Sequence, residues 1–382
     1  MPRLFLSMTA MACLALGSSV HAAANPPASR TFGRQDARDI IAASRQMVSD
    51  HGIETQLAIP VNGTRQWISV RGNDARNPIL LFLHGGPASP DMPLAWTFQT
   101  PWEDYFTVVQ WDQRGAGKTY AANDPAKVAA GMTIAGMTAD AEQVVTYLRR
   151  TYGKKKIFLL GHSWGSVLGV RLARAHPDWF HAYIGVGQIA NMRDSEADGY
   201  RFALEAARKE GNRKALDDLA TIAPYPAPDK PLDLASIGTQ RKWLEHYGGL
   251  AWGRTSFKFD SDAEKIAPEY SDSDLAALDQ GSLFSLGHLL GPLTEVDFSH
   301  DTRFELPILL FLGRHDYSVS HNVSARWFAT LHAPAKKLVW FEDSAHMVMQ
   351  EQPGRFLMHL VNDARPYAVK VGDAAPDEVV EQ

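Results

Sequence analysis

The stretch "IFLLGHSWGS" at 157–166 constrains the fold of this 382-residue chain more than any other segment. Its four large apolar residues are typical of a buried strand, and the small residues that follow are typical of a helix packed tightly on a sheet. Ser163 therefore lies at a predicted strand-to-helix corner, where Gly161 and Gly165 let the backbone turn sharply. The pattern G-x-S-x-G indicates an exposed nucleophilic hydroxyl, although a glycine-rich turn with an incidental serine has the same letters.

Further apolar runs, separated by helical patterns, indicate parallel strands that are buried on both faces. The runs before the serine are "ILLFL" at 79–83, "FTVVQW" at 106–111 and "KIFLL" at 156–160, and "AYIGVG" at 182–187 follows it. A hairpin turning at Asn62-Gly63 precedes them. The helix before the third run is expected to begin near Thr138, with Asp140 in its first turn.

Between about 190 and 302 the apolar residues recur at helical spacing, which predicts a helical insertion into the sheet. The strand pattern resumes with "PILLFLG" at 307–313 and again at 337–341. The expected fold is therefore α/β, with a mostly parallel sheet flanked by helices and an inserted helical cap over the carboxyl ends of the strands. Its expected parts are a signal peptide at 1–22, a first core segment at 30–190, the cap at 191–302, a second core segment at 303–367 and a loose acidic tail at 368–382.

The first residues predict export. Arg3 is followed by an apolar stretch at 4–16 and then by small residues, which is the pattern of a secretory signal cleaved after Ala22 or Ala24. The apolar stretch is too short and too interrupted to remain as a permanent membrane anchor. We therefore expect a periplasmic or secreted protein. Cys13 is the only cysteine and lies inside the signal, so the exported chain is expected to have neither disulfides nor thiol chemistry.

The composition argues against several classes of protein. A net charge of −5 offers no basic surface for nucleic acid. "DQRGAGKTY" ends like a phosphate-binding loop but has Asp112 where the first glycine is required, and "GVGQIA" at 185–190 follows a late strand, not the first strand of a dinucleotide fold. The histidines show no metal-ligand spacing. No cofactor and no metal are therefore implied, and the oligomeric state has no signature in the sequence.

A serine becomes a nucleophile when a base takes its proton and an acid orients that base. In α/β hydrolases the acid and the histidine follow the serine in that order, each on a loop after a strand. Asp316 in "GRHD" and His346 in "EDSAH" follow the last two predicted strands. We therefore predict Ser163, Asp316 and His346 as a catalytic triad, although an aspartate after a strand is often only a turn former. Weaker neighbouring candidates are His315, Glu342 and Asp343.

The stretch "HGGP" at 84–87 follows the strand at 79–83, where such folds place a backbone donor for the oxyanion of a tetrahedral intermediate. Gly86 is assigned as the first donor, with Gly85 as the alternative. The amide of Trp164, directly after the nucleophile, is assigned as the second donor. Without Ser163, an ordinary glycine-proline turn would explain the same letters.

The motifs "HGGP", "QWDQRGAG" and "GHSWGS", in that order, resemble those of the prolyl aminopeptidases and related serine peptidases of the α/β-hydrolase fold. The likeness covers about 55–190 and returns at 307–360. It implies that Ser163 is the nucleophile of a covalent acyl-enzyme mechanism, with Asp316 and His346 as acid and base. It also implies that the loop at 112–115 braces the site, although Arg114 could instead form a plain surface ion pair.

By this resemblance the substrate is a short peptide that loses its N-terminal proline or another N-terminal residue. An exopeptidase must pair the buried α-ammonium group of its substrate, so the cap should supply carboxylates. Glu196, where the chain enters the cap, and Glu245, on a later cap helix, are the candidates. If neither reaches the pocket, an apolar cap would suit a small neutral ester, which makes carboxylesterase the alternative. The cap residues behind that alternative are Trp243, Trp252, Phe257 and Phe284.

Overall fold

The structure is a computed structural model that describes residues 31–376; the predicted signal peptide lies outside them. Eight strands form one sheet in the order β1-β2-β4-β3-β5-β6-β7-β8. β1 and β2 are an antiparallel hairpin that turns at Asn62 and Gly63, β2 pairs antiparallel with β4, and the remaining pairs are parallel. The strands are β1 Ile53–Val61, β2 Thr64–Gly72, β3 Ile79–Leu83, β4 Thr107–Asp112, β5 Ile157–His162, β6 Phe180–Val186, β7 Ile308–Gly313 and β8 Lys336–Phe341.

The helices of the described residues flank this sheet and fill the insertion between β6 and β7. They are α1 Arg34–Ser44, α2 Gly117–Ala121, α3 Pro125–Ala129, α4 Ile134–Thr151, α5 Trp164–Ala175, α6 Met192–Glu210, α7 Arg213–Ala220, α8 Leu234–His246, α9 Lys258–Lys265, α10 Asp272–Thr294, α11 His321–Thr330, α12 Val348–Glu351, α13 Pro353–His359 and α14 Pro366–Val369. Short 3₁₀ helices at Met92–Thr97, Thr100–Asp104 and Pro177–Trp179 and a π-helical turn at Leu360–Ala364 complete the set.

The parallel strands are buried on both faces, as their apolar runs predict. Along β5, Leu159 packs with the helices α4 and α5 on one face of the sheet. Its neighbour Phe158 points the other way and belongs to the hydrophobic cluster on the opposite face, where it packs edge-on against Phe106. Successive strand residues point to opposite faces, so a strand covered on both sides must be apolar throughout. This architecture confirms the predicted fold class.

The start of α4 differs from the prediction. Thr133, not Thr138, is the N-cap, and its hydroxyl oxygen accepts a hydrogen bond from the amide of Gly136 at 2.9 Å. Thr138 lies inside the helix and donates to the carbonyl of Ile134 at 2.7 Å. Asp140 is consequently not a first-turn residue but a buried one in the second turn.

The chain beyond residue 367 also differs from the expected loose tail. Ala368 in α14 is fully buried. Asp373 binds Lys154 Nζ at 2.6 Å and His181 Nε2 at 2.8 Å, so this segment is fixed to the core as far as that residue. Residues 377–382 of the predicted tail lie outside the described part. None of the helices within 31–376 is both long enough and apolar enough to cross a membrane.

The inserted helices contact the carboxyl ends of the strands at several places, among them the loop after β7, where the amide of Tyr317 donates to the carbonyl of Gly249 at 2.9 Å. The amide of His346 donates to the carbonyl of Leu250 in the loop between α8 and α9, at 3.1 Å. Helix α9 lies against the 3₁₀ helix that follows β3, where Trp96 Nε1 donates to the carbonyl of Ala263 at 3.2 Å. The α9–α10 loop is in turn held by α1, whose Arg38 donates to the carbonyl of Tyr270 at 2.8 Å.

Candidate active site

Ser163 lies at the corner between β5 and α5 in a conformation that non-glycine residues rarely adopt, with φ of 53°. The two flanking glycines permit it because the backbone is crowded there. A Cβ on Gly165 would lie 1.9 Å from the carbonyl oxygen of Leu83, and one on Gly161 would lie 2.8 Å from the carbonyl oxygen of Gly165. Backbone strain of this kind is retained where the surrounding structure enforces it, which is common at functional sites.

Asp316 and His346 meet beside this corner. Asp316 follows β7 and His346 follows β8, and the Oδ2 of the aspartate lies 2.8 Å from the Nδ1 of the histidine. The other oxygen, Oδ1, accepts from the amides of Ser318 at 3.0 Å and Val319 at 2.9 Å, so the carboxylate is held in position. Both side chains are buried. This leaves Nε2 of His346 as the ring nitrogen available to a substrate or to Ser163, which lines the same cavity.

Gly187, directly after β6, is a site residue that the sequence analysis missed. Gly187 has φ of 51°, and a Cβ there would lie 2.7 Å from Cε1 and 2.8 Å from Nδ1 of His346. It would also lie 3.3 Å from Oδ2 of Asp316. The sequence signal for this position is the second glycine of "GVGQIA", which does not belong to a dinucleotide-binding motif. This glycine leaves room for the histidine–aspartate pair.

The glycines after β3 border Ser163. A Cβ on Gly85 would lie 3.2 Å from Cβ of Ser163, so this backbone passes directly over the serine. The amide of Gly86 makes no hydrogen bond to any of the residues 31–376, and Gly86 has φ of 109°. Trp164 begins α5, and the first amides of a helix have no partner within it. Free amides from two segments therefore border the serine.

Two polar side chains brace this arrangement from behind. Gln113 accepts from the indole nitrogen of Trp164 at 2.9 Å and donates to the carbonyl of His84 at 3.2 Å. His162 Nε2 lies 3.1 Å from the carbonyl oxygen of His346, so this nitrogen carries the proton and donates. Burial, together with the neighbouring His346, holds the pKa of His162 well below its usual range. A neutral His162 thus ties the loop that carries His346 to the strand end that carries Ser163.

Arg114 is not a surface ion pair. Its side chain is buried and binds Asp140 through two nitrogens, at 2.6 and 3.0 Å. It also donates to the carbonyls of Asn62 and Lys127, both at 3.1 Å. The arginine therefore ties the hairpin, α3 and α4 together next to the loop that follows β4.

Ser163, His346, Gly85 and Gly86 line one cavity of about 300 Å³. A larger cavity, of about 970 Å³, is lined by Arg171, Arg303 and their neighbours and contains none of the predicted catalytic residues. Volume alone would select the larger cavity. The smaller cavity is the candidate active site because it joins a strained serine, a buried histidine–aspartate pair and free backbone amides.

Three carboxyl groups line this cavity as well. Asp91 comes from the loop after β3, while Asp260 and Glu264 lie one turn apart on α9. Burial and the negative charges of the other two raise the pKa of Asp91 to about 8. Burial, then Asp260, raises the pKa of Glu264 to about 7. The pKa of Asp260 is also raised by burial, although Arg254 opposes the shift.

Neither of the predicted amine anchors reaches the cavity. Glu196 is fully buried and already neutralised, because Arg241 binds both of its oxygens, at 2.5 and 3.0 Å, and Tyr225 donates to it at 2.6 Å. Glu245 accepts from the amide of Phe257 at 2.8 Å and so supports the loop before α9. Glu196 and Glu245 therefore hold the cap together, which corrects their assignment as substrate ligands.

The sheet order and the serine at the turn after β5 define the protein as an α/β hydrolase. Residues 102–353 match the serine aminopeptidase S33 family. The chain is 31% identical over 310 residues to the probable aminopeptidase YbaC of Bacillus subtilis, covering 80% of this chain and 95% of that protein. It therefore belongs to the serine aminopeptidase S33 family and is an aminopeptidase-like serine hydrolase, which confirms the resemblance seen in its motifs.

Two further comparisons agree with this class. The chain is 36% identical over 107 residues to the proline iminopeptidase of Neisseria gonorrhoeae, which covers 28% of this chain and 31% of that protein. The crystal structure of a proline iminopeptidase from Mycobacterium smegmatis shares the fold, with a TM-score of 0.59 and 19% identity, over 83% of this chain and all of the other.

Proposed function

We propose that this protein is an aminopeptidase that releases the N-terminal residue of short peptides through a covalent acyl-enzyme. Ser163 Oγ attacks the carbonyl carbon of the first peptide bond while its proton passes to Nε2 of His346. Asp316 keeps the proton on Nδ1 and stabilises the imidazolium that forms. The amides of Gly86 and Trp164 donate to the oxyanion. No step in this scheme requires a cofactor.

The intermediate then collapses. The C–N bond breaks, and His346 gives its proton to the leaving amine, which departs as the shortened peptide. Water attacks the ester on Ser163 while His346 takes its proton. The C–O bond to the serine then breaks, His346 returns the proton to Ser163 Oγ, and the amino acid leaves. The hydrogen bond between His346 Nδ1 and Asp316 Oδ2 supports these roles because it fixes which ring nitrogen exchanges protons.

The observation that carries the exopeptidase assignment is Asp91. Asp91 is only 5% exposed and lines the same cavity as Ser163, and its carboxyl makes no hydrogen bond or ion pair to any of the residues 31–376. A buried carboxylate without a partner is unfavourable until a cation or a donor arrives. The α-ammonium group of a peptide is separated from the scissile carbonyl by one carbon atom, so a carboxylate in this cavity can receive it while Ser163 reacts.

A carboxylesterase is the second candidate because the carboxyl of Asp91 is largely protonated at neutral pH while the cavity is empty. The lining also contains the apolar side chains of Leu94, Leu250, Phe257 and Met347. A small neutral ester would meet no uncompensated charge there. The two candidates differ in whether the substrate must bring a free amine.

Labelling by a fluorophosphonate tests the nucleophile. The wild type is expected to react and Ser163→Ala is expected not to react, because the probe phosphonylates only an activated hydroxyl, with loss of fluoride. Ser261 lines the same cavity, so Ser261→Ala is the matched control and should be labelled. A wild type that stays unlabelled would overturn the serine mechanism.

Turnover of three substrates tests the amine requirement. A prolyl or other aminoacyl arylamide should be cleaved, and its N-acetylated counterpart should not be cleaved. A short acyl ester is the third substrate and serves as the reference that has no amine. Asp91→Asn should lower kcat/KM for the arylamide by more than for the ester, by about 10- to 100-fold, because a charge-assisted hydrogen bond is lost. Rapid ester cleavage without turnover of any free-amine arylamide would establish the esterase instead.

We also propose that the protein is exported, on the basis of the pattern in residues 1–22. N-terminal sequencing of the protein from the periplasm or medium should begin at Ala23 or Asn25. A chain that still begins at Met1 in those fractions would contradict cleavage of a signal peptide.

A further inference from the structure

The active-site cavity is lined by more carboxyl groups than one ammonium group can pair with. Asp91, Asp260 and Glu264 line it, and the lining residues in the described part of the chain include neither lysine nor arginine. A free α-amine brings a single positive charge, which leaves the remaining carboxyl groups to be compensated by protons or by a second cation.

Two of the three carboxyl groups have no hydrogen-bond or ion-pair partner among residues 31–376, and the third is paired through only one of its two oxygens. Asp91 and Glu264 form no side-chain hydrogen bond or ion pair within 31–376. Asp260 is only 5% exposed and receives Arg254 Nη1 on Oδ2 at 3.1 Å. Its Oδ1 is buried without any hydrogen-bond partner. Asp91 and Glu264, which line the cavity without a partner in the described part of the chain, therefore mark a place for a donor that these residues do not supply.

The carboxyl groups fall into two sets with different origins. Asp91 belongs to the core, five residues after Gly86 and on the same loop as that proposed oxyanion donor. Asp260 and Glu264 belong to the cap, four residues apart on α9, and so project from one face of that helix. Core and cap therefore each offer their own anionic group to a substrate that lies between them.

We propose that the N-terminal residue accepted by this cavity carries a second positive charge on its side chain, as lysine, ornithine and arginine do. The proposal rests on the aminopeptidase function proposed above. The α-ammonium group pairs with Asp91 near Ser163, and the side-chain cation pairs with Asp260 and Glu264 on α9. The methylene groups of the substrate's side chain pack on Leu94, Leu250 and Phe257, as the stems of long basic side chains do on apolar surface.

Four arylamides that differ at the N-terminal residue test this inference on the full-length protein. Lysyl and arginyl arylamides should exceed the norleucyl arylamide in kcat/KM by about 10- to 100-fold, since norleucine has the lysine stem without the charge and forgoes a charge-assisted hydrogen bond. The prolyl arylamide should behave like the norleucyl one. This comparison uses the wild type alone and does not depend on any variant folding.

Glu264→Gln should lower the ratio of lysyl to norleucyl turnover because it removes a charge but keeps the size of the side chain. Asp262→Asn is the matched control, because Asp262 lies on the exposed side of α9, paired with Lys265 at 3.0 Å. This control should leave the ratio unchanged.

Equal or faster cleavage of the norleucyl and prolyl arylamides would overturn the inference while leaving the aminopeptidase function intact. Cleavage of the ester with no cleavage of any arylamide would overturn the aminopeptidase function, and the inference with it. A lysyl preference that survives Glu264→Gln and Asp260→Asn together would also overturn the inference, because the second charge would then bind elsewhere.

Discussion

At the scale of single residues, the site depends on close approaches that only glycine allows. Gly165 makes room for the backbone of β3, and Gly187 makes room for the paired side chains of His346 and Asp316. Neither glycine carries a reacting group. Each is required because a side chain would occupy space that the catalytic geometry already fills.

Gly187→Ala should therefore lower kcat by about 10- to 100-fold, because displacing a catalytic group by about 1 Å costs a factor of that order. The added Cβ meets His346 at 2.7 Å, and the histidine must move away from Asp316. Steady-state kinetics on the ester and on an arylamide would both show the loss.

Gly211→Ala is the control for that experiment. Gly211 also has a positive φ, of 73°, but a Cβ there meets nothing within 4 Å. Alanine at Gly211 should therefore cause backbone strain comparable to that of alanine at Gly187, but its Cβ should contact no neighbouring atom. We expect this variant to retain kcat. Equal losses of kcat in the two variants would show that backbone strain, and not displacement of His346, explains the effect.

At the scale of secondary-structure elements, one buried ion pair joins the hairpin to the helices beside the site. Arg114 and Asp140 are both almost completely buried, and Asp140 also accepts from Asn62 at 2.8 Å and Gln66 at 2.7 Å. Breaking a buried pair leaves one charge without compensation, which is far more costly than losing an exposed pair.

Asp140→Ala should lower the free energy of unfolding by about 3–5 kcal/mol. Glu142→Ala, two residues further along α4, should lower it by about 1 kcal/mol or less, because its partner His176 is partly exposed. Denaturant unfolding monitored by tryptophan fluorescence measures both variants. Similar losses for the two variants would rule out a special contribution from the buried pair.

At the scale of the whole molecule, the proposed catalytic groups belong to the core, whereas the carboxyl groups of the cavity are divided between core and cap. Asp91 faces Asp260 and Glu264 of α9, with Arg254 bound to Asp260, and the raised pKa of about 8 for Asp91 comes from burial and these negative neighbours. The negative charge of Asp91, which would attract an amine, therefore depends on pH. It also depends on the cap, because Asp260 and Glu264 of the cap raise the pKa of Asp91.

The pH dependence has a definite sign. A carboxyl group with a pKa of about 8 is mostly protonated below that pH and charged above it. The α-ammonium of the substrate loses its own proton near pH 8. The ratio of kcat/KM for an aminoacyl arylamide to that for the ester should thus rise from pH 6 and reach a maximum close to pH 8.

Taking the ratio cancels every effect of pH that is common to the two substrates. Asp91→Asn should remove most of the rise, because no carboxyl remains at that position to ionise. A ratio that stays flat from about pH 6 to pH 8 would contradict the assignment of Asp91 as the amine ligand.

The sequence by itself determined the sheet, the serine corner and the placement of Asp316 and His346 after the last two strands. These features follow from interactions between near neighbours along the chain: apolar runs make buried strands, and glycines at Gly161 and Gly165 make the sharp turn. Short-range rules were less reliable at helix ends, because Thr133 and Thr138 are equally good caps by composition. The helix α1 was missed because only Ile41 in it is buried, so its apolar pattern is weak.

Only the tertiary structure decided which carboxyl groups meet the substrate cavity. Glu196 was a reasonable candidate until Arg241, 45 residues away on α8, proved to bind it. Asp91 gave no signal, because an aspartate in a loop rich in proline and serine has the pattern of an ordinary turn. Its position in the cavity beside Asp260 and Glu264 arises from the docking of α9 against the loop after β3. Such long-range packing brings together side chains that are far apart in the sequence, so their contact cannot be predicted from sequence spacing.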